Sequence, residues 1–504
     1  MNKKKRFKRI TISLSENTAP VDVVYVEAVE QLKHAFASGS YDNALYIASQ
    51  LLAIENKDPE VHIAQLRCLV ALGRIQEAQV PANILADKFS TDAIAMFSLA
   101  KYYISCQDQE KARALLEKVV VMRPKYSDAW VELGICYALM GNKSQATQSY
   151  QKAIKINPDN ISGYYQLAHL NRESIESSHI DRMQDMAANT DLSLPEKINL
   201  NFALAWSYQG KNIAEEMNYL KAANTLMAEF RPWDKSTWAA MEDAYFGMLD
   251  GEDITAMQSV STLDDQPIFI IAMPRSGTTL VERILSAHTQ TYGIGESSAF
   301  FNANGLASTR IQQELIEDED LMFKRYLQVM DEAFKSQASV NAADGLRIID
   351  KSMNNELLVG FIVLTYPGAK IIHLKRDPMD VCLSCYQQLF PFGQEFSYDL
   401  ADCANYYLEH DRVMERWKQL FPDKILNLSY EDLVAGQAQQ TERLLDFCGL
   451  PWEDSCMEFH NKKANVYTAS YAQVDQKIYQ TSINRSEKYA ELLQPALAVL
   501  NKGS

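Results

Sequence analysis

Ile268-Phe-Ile-Ile-Ala-Met-Pro-Arg-Ser-Gly-Thr-Thr-Leu280 runs from an unbroken apolar stretch into a small, hydroxyl-rich turn and on into an amphipathic helical pattern. A run that is apolar at every position reads as a strand covered on both faces, and a strand, tight turn and helix make the unit of a parallel α/β sheet. The turn has the chemistry of an anion cradle. Backbone N–H groups of Ser276 to Thr279 would point at the anion where the helix begins. The hydroxyls of Ser276, Thr278 and Thr279 add donors, and Arg275 adds a fixed positive charge. Gly277 is followed by Thr278 rather than by the lysine of a Walker loop, which disfavours an ordinary nucleotide triphosphatase and a kinase built on that loop.

Working outward, short apolar runs alternate with helical patterns. Ile268–Ala272, Arg347–Ile349, Lys370–Leu374 and Ile425–Leu428 read as buried parallel strands of an α/β three-layer domain. Ligands of such sheets collect at the carboxyl ends of the strands, where this chain places chemistry-bearing residues. Lys375-Arg-Asp-Pro378 leaves the third strand, and Ser384 lies eight residues beyond Arg376, two turns into the helix that Pro378 opens. Both could reach one dianion. Asp350-Lys-Ser352 follows the second strand, Ser429-Tyr-Glu-Asp-Leu433 the fourth, and Gly295-Glu-Ser-Ser298 comes after the first helix.

Pro274-Arg-Ser-Gly-Thr-Thr279 resembles the 5′-phosphosulfate loop of sulfotransferases that use 3′-phosphoadenosine 5′-phosphosulfate, and Arg275 brings it closest to the tyrosylprotein-type branch. The resemblance implies a P-loop-like sulfotransferase fold over 267–504 and a set of roles. Arg275, Ser276, Gly277, Thr278 and Thr279 would hold the 5′-phosphosulfate, Arg376 and Ser384 the 3′-phosphate, and Tyr430 would pack beside the cofactor. Glu296 would be the catalytic base, Lys351 would stand near the bridging oxygen, and no metal is implied. His288 recurs in the family after the first helix and reads as a structural helix-end residue. Gln473 to Tyr489 is similar to the closing segment of tetratricopeptide-fused bacterial sulfotransferases. It departs from them in having Asp475-Gln-Lys477 for Arg-x-Pro and Ser486 for Trp, and it keeps Tyr479 and Arg485 as candidate contacts. The acceptor is a hydroxyl of a peptide or protein tyrosine, a glycan or a small molecule. The alternative is a non-catalytic tetratricopeptide scaffold with an adenine-nucleotide-sensing domain.

Upstream, a period of 34 residues, the tetratricopeptide length, aligns 25–58, 59–92, 93–126 and 127–160 without an insertion. Trp130, Leu133, Gly134, Tyr137, Gly141, Ala146, Tyr150, Ala153 and Pro158 occupy the repeat's characteristic offsets in the last of these. A fifth repeat opens at Tyr164, Leu167 and Ala168 and dissolves into polar Asn171-Arg-Glu-Ser-Ile-Glu-Ser-Ser178; a sixth returns at about 196–229. The expectation is a helical solenoid over 25–250, preceded by a basic tail (1–24) and followed by a linker (251–266). Its concave face would receive a peptide, a protein partner or a second copy of the chain.

Composition narrows the function classes. A chain of 504 residues exceeds one core, and 47% hydrophobic with 23% charged residues is a globular balance. A net charge of −16 argues against general nucleic-acid binding and leaves anionic ligands to local Arg and Lys. No run has the length of a membrane span and none of the start reads as a signal peptide, so a cytoplasmic location is expected. The eight cysteines make no disulfide framework. Cys382 and Cys385 read as core residues because no second pair or histidine cluster stands at zinc spacing.

Overall fold

The computed structural model describes residues 8–247, 266–338, 346–461 and 483–502, apart from positions 17, 315, 317 and 392. Tyr479 and nearly all of the expected linker lie outside the described residues. The chain divides into two compact units, Met1–Asp191 and Leu192–Ser504.

The first unit opens on strands β1 (Arg9–Ile12) and β2 (Val21–Val24), paired antiparallel with Arg9 opposite Val24 and Ile12 opposite Val21. Residues 1–7 lie outside the described residues, and the stretch expected as a basic tail thus carries a hairpin of β1 and β2. The alternation that fixes it is short: Ile10 and Ile12 are buried against Tyr25, Leu32 and Ile47, while Arg9 and Thr11 face out. Ten helices follow in pairs. First helices begin at Tyr25, Pro59, Ala93, Ser127 and Ile161 and second helices at Tyr41, Ile75, Gln109, Lys143 and Ser177, an advance of 34 residues each time. The fifth pair thus keeps the period that its polar sequence conceals. A short 3₁₀ turn, Arg172–Ser174, leads into a helix over Ser177–Ala187 that buries Met183 and Met186.

Within the first four pairs the turn uses a left-handed residue, which Gly39, Gly73 and Gly141 supply; in the third repeat Gln107 takes that conformation at φ 59°. Close helix packing explains Gly134, since a Cβ there would lie 2.4 Å from the Tyr150 ring. Asp58, Asp92 and Asn160 cap the first turns of the helices that follow them, each accepting a backbone N–H.

The second unit begins with an antiparallel helix pair, α11 (Leu194–Tyr208) and α12 (Ile213–Phe230), then α13 (Lys235–Gly247). The pair expected as a sixth repeat therefore belongs here. Its buried polar groups grip the helix α18 (Pro378–Tyr386): Trp206 Nε1–H donates to Gln387 O at 2.9 Å and Asn224 Nδ2–H to Tyr386 O at 2.9 Å. Glu216 accepts from both Gln387 Nε2–H and Tyr489 OH, at 2.7 Å each.

Five parallel strands, β3 (Ile268–Ile271), β4 (Thr291–Gly293), β5 (Arg347–Asp350), β6 (Lys370–Lys375) and β7 (Ile425–Ser429), form a sheet in the order β4-β5-β3-β6-β7. The four expected strands are all present; β4, three residues long, carries too little pattern to be read alone. Period-two alternation splits β3 between two cores. Phe269 and Ile271 join Phe300, Phe334 and Trp417 on one face, and Ile268 and Ile270 join Val281, Ile284 and Leu444 on the other. This is the expected three-layer arrangement. After β3 the chain builds outward to β4 and β5, then crosses to β6 on the opposite side, so the crevice at the carboxyl end of β3 is the topological switch point.

Two buried histidines mark the β6 side. His373 and His410 rings lie 5.4 Å apart, and burial holds His373 down at about 4 and His410 below its ordinary value. The unfolded chain, ordinary near 6.5, takes up the proton first as pH falls. His373 thus contributes stability that is complete above pH 6.5 and declines toward pH 4, by about 3 kcal/mol in all. Replacing His373 with Asn is expected to flatten the stability–pH curve in that window by denaturant titration; an unchanged slope contradicts the assignment.

Candidate active site

The loop Ala272–Gly277 joins β3 to helix α14 (Thr278–Ser286) through two left-handed residues, Arg275 at φ 67° and Gly277 at φ 100°. Gly277 is required twice over. Its φ disfavours any side chain, and a Cβ would come within 2.5 Å of the Tyr430 ring. Ser276, Thr278 and Thr279 are buried at the helix start, where the first-turn N–H groups have no intrahelical acceptor.

Around this loop the structure gathers residues from distant sequence. Arg275 Nε–H donates to Ser384 Oγ at 3.1 Å, across 109 positions. Arg376 Nη1–H donates to Arg275 O at 2.8 Å, its guanidinium stands 4.8 Å over the Tyr430 ring, and Asp380 lies 3.7 Å from its Nη2. Arg376 is only 8% exposed, so this is a sheltered positive centre in an acidic chain. Ser384 is held by α18, whose start is fixed by Pro378 and by Asp377 accepting Asp380 N–H at 2.9 Å.

A second cluster lies along α14. Lys351, 1% exposed, places Nζ 2.8 Å from Glu296 Oε1 and 3.6 Å from Glu282 Oε2. Glu282 also accepts Gly295 N–H at 2.8 Å, so one carboxylate holds both the lysine and the backbone that carries Glu296. Burial pushes the Glu282 carboxyl up, with Lys351 opposing the shift. Ser298 N–H donates to Ser352 Oγ at 2.8 Å and Ser352 N–H to Asp350 Oδ1 at 2.7 Å, fixing the two segments together; burial raises Asp350 to about 6.

Glu282 was not among the sequence candidates, because a charged residue within an amphipathic helix carries no signal of its own. Its effect is indirect, through Gly295 and Lys351, which makes it a positioning residue. Replacing Glu282 with Ala is expected to lower kcat of the domain by roughly 10- to 100-fold with KM changed by less than about 2-fold, and Glu282→Gln should recover part of the loss by keeping the acceptor for Gly295. Steady-state kinetics of both variants decide this; equal loss in the two contradicts it.

The other sequence candidates fall as follows. His288 is fully buried, accepts Gln290 N–H at Nδ1 and lies 2.9 Å from Pro451 O at Nε2, a helix-end bracket. Arg485 meets Gln387 Oε1 at 3.1 Å and Ser486 N–H donates to Asp380 Oδ1 at 2.8 Å, so the described end of the closing segment docks on α18, while Asp475-Gln-Lys477 lies outside the described residues. Cys382, Cys385 and Cys403 are buried free thiols. Among the described residues no acidic, cysteine or histidine group could hold a metal ion, and no helix is long and apolar enough to cross a membrane.

The sequence from 267 to 454 matches the model of the sulfotransferase family, and 35–81 and 127–160 match tetratricopeptide repeats. Residues 267–454 form a sulfotransferase-family domain. An uncharacterized protein of Aquifex aeolicus is 29% identical over 78% of this chain, which spans 53% of that protein's length. Nodulation protein H of Rhizobium meliloti is 26% identical over 38% of this chain and 80% of its own. The sulfotransferase domain of a Synechococcus olefin synthase covers 47% of this chain and 95% of its own, at 19% identity and a TM-score of 0.34.

Proposed function

We propose that the sulfotransferase domain moves a sulfuryl group from 3′-phosphoadenosine 5′-phosphosulfate to an acceptor hydroxyl, with a peptide or protein tyrosine as one acceptor class. The observation that carries this reading is the junction of Arg275, Ser384 and Arg376, because it joins the two anion-binding motifs into one continuous polar site. A ligand anionic at both ends needs both.

The donor supplies an activated sulfuryl group with charge spread over its oxygens, so positioning and electrostatics do most of the catalytic work. Arg275 and the N–H groups from Ser276 to Thr279 hold the 5′-phosphosulfate. Arg376 and Ser384 hold the 3′-phosphate, and Tyr430 backs Arg376. Lys351 faces the charge developing on the leaving oxygen, and Glu296 takes the acceptor's proton. Glu296 suits that task because one oxygen is anchored on Lys351 while its side chain remains 31% exposed. The repeat unit is assigned to a protein or peptide partner or to self-association.

A purely nucleotide-sensing domain has no need of the Glu282–Lys351–Glu296 cluster, which favours the enzyme. Thermal denaturation tests the donor. Adenosine 3′,5′-bisphosphate at a hundredfold excess over its Kd should add about 2.7 kcal/mol of stability. ATP at the same concentration should add much less. Equal stabilisation by both removes the 3′-phosphate site.

A further inference from the structure

Asn354 adopts a left-handed conformation, φ 69°, and turns the chain from the end of β5 into the 3₁₀ turn Asn355–Leu358. That turn walls a cavity of about 300 Å³ whose other sides include Trp233, Trp238, Phe301, Phe396 and Tyr406. Two of its lining residues, Asn354 and Phe301, lie a short way along the chain from Lys351 and Glu296. Asn354 is three residues from Lys351, at most ~10 Å of extended chain. Phe301 is five from Glu296, and the Ser298–Ser352 hydrogen bond ties the two segments together.

The walls are aromatic and braced. Phe396 stacks on Tyr406 at 3.9 Å and 9°, and Trp233 and Trp238 meet Tyr406 edge-on at 6.0 and 5.6 Å. That stack braces the wall, and the more exposed rings of Trp233, Trp238 and Phe301 offer the surface that suits a planar ring. The charged groups lining the cavity are all acidic: Asp234, Glu356 and Glu395, with no Lys, Arg or His among the lining residues. Tyr406 OH donates to Glu356 Oε1 at 2.5 Å, which occupies the deepest carboxyl. An anionic guest would lose its water and meet carboxylates; a neutral or cationic one would not.

We propose that this cavity seats the acceptor, and that the acceptor is a phenol whose ring substituents carry no negative charge. The inference rests on the sulfuryl-transfer reading. In that reaction the phenolic oxygen forms the new S–O bond and the donor's bridging S–O bond breaks, its electron pair leaving on the phosphate oxygen. The phenolic proton passes to Glu296.

The test uses the full chain saturated with adenosine 3′,5′-bisphosphate, and measures p-cresol, tyramine, 4-hydroxyphenylacetate and N-acetylglucosamine by ligand-observed NMR. p-Cresol and tyramine bind, the carboxylate binds at least ~10-fold more weakly, and the sugar does not bind. Phe301 is 37% exposed, so Phe301→Ala keeps the fold, and it weakens p-cresol several-fold while bisphosphate affinity holds. Thr237→Lys, at the exposed rim, restores the carboxylate. Failure of p-cresol to bind, equal binding of the carboxylate and the amine, or p-cresol affinity unchanged in both Phe301→Ala and Trp238→Ala overturns the assignment. Bisphosphate binding is read in a separate titration, and its absence sinks the donor reading instead.

Discussion

Glu296→Gln is expected to lower sulfuryl transfer by roughly 10²- to 10⁴-fold while the Kd for adenosine 3′,5′-bisphosphate stays within about 2-fold of the parent. The asymmetry comes from geometry. Lys351 is buried and bonded to Glu296 Oε1 at 2.8 Å, and the amide oxygen of Gln can accept the same hydrogen bond. The lysine therefore keeps a partner on each side, because Glu282 remains at 3.6 Å. What is lost is the capacity to take a proton from the acceptor. Initial rates together with a calorimetric titration separate the two quantities. Turnover within tenfold of the parent would remove Glu296 from the role of base, and a collapse of bisphosphate affinity would show that it had been holding the loop instead.

Gly277→Ala should act on the opposite half of the site. The left-handed backbone at φ 100° costs a residue with a side chain about 1–2 kcal/mol, and the added methyl would sit 2.5 Å from the Tyr430 ring. Tyr430 lies under the Arg376 guanidinium, so displacing the ring disturbs Arg376 and, through its bond to Arg275 O, the loop itself. Bisphosphate affinity is expected to fall by about 10²-fold or more, measured by calorimetry. The clash has a built-in control. In a Tyr430→Ala background the glycine substitution should cost distinctly less, because the two changes remove the same contact. Full additivity would mean that the ring is not what Gly277 makes room for.

Much of this site is legible in sequence because its signals are local. A strand, a small hydroxyl-rich turn and a helix must present backbone N–H groups together, and Arg376 and Ser384 share one strand end and the helix after it. Lys351 follows a strand legible in the sequence, whereas Glu296 was singled out by the resemblance alone because β4 before it has too little pattern to read; the structure brings the two into contact. Glu282 could not be read, since its meaning depends on Gly295 and Lys351 arriving from two other elements. The hairpin of β1 and β2 was obscured by the basic run that precedes it, and only Ile10 and Ile12 carry the alternation. The fifth repeat was hidden for a related reason. A packed neighbour lets its second helix survive with two buried methionines and a polar remainder. Repeat-like spacing in Phe202, Trp206 and Tyr219 reports helix pairing only; which unit the pair joins is decided by Trp206, Glu216 and Asn224 bonding to residues 386, 387 and 489. The acidic, aromatic cavity draws its walls from five separate stretches of chain, a grouping with no sequence period at all.

The most direct measurement is mass-spectrometric detection of sulfuryl transfer by the full chain supplied with 3′-phosphoadenosine 5′-phosphosulfate and p-cresol or tyramine. The phenol should gain the mass of one SO₃ with equimolar release of the 3′,5′-bisphosphate, and Glu296→Gln should suppress both together. Bisphosphate released at the same rate with and without acceptor, and no sulfated phenol in either case, would contradict the reading of this domain as an acceptor sulfotransferase.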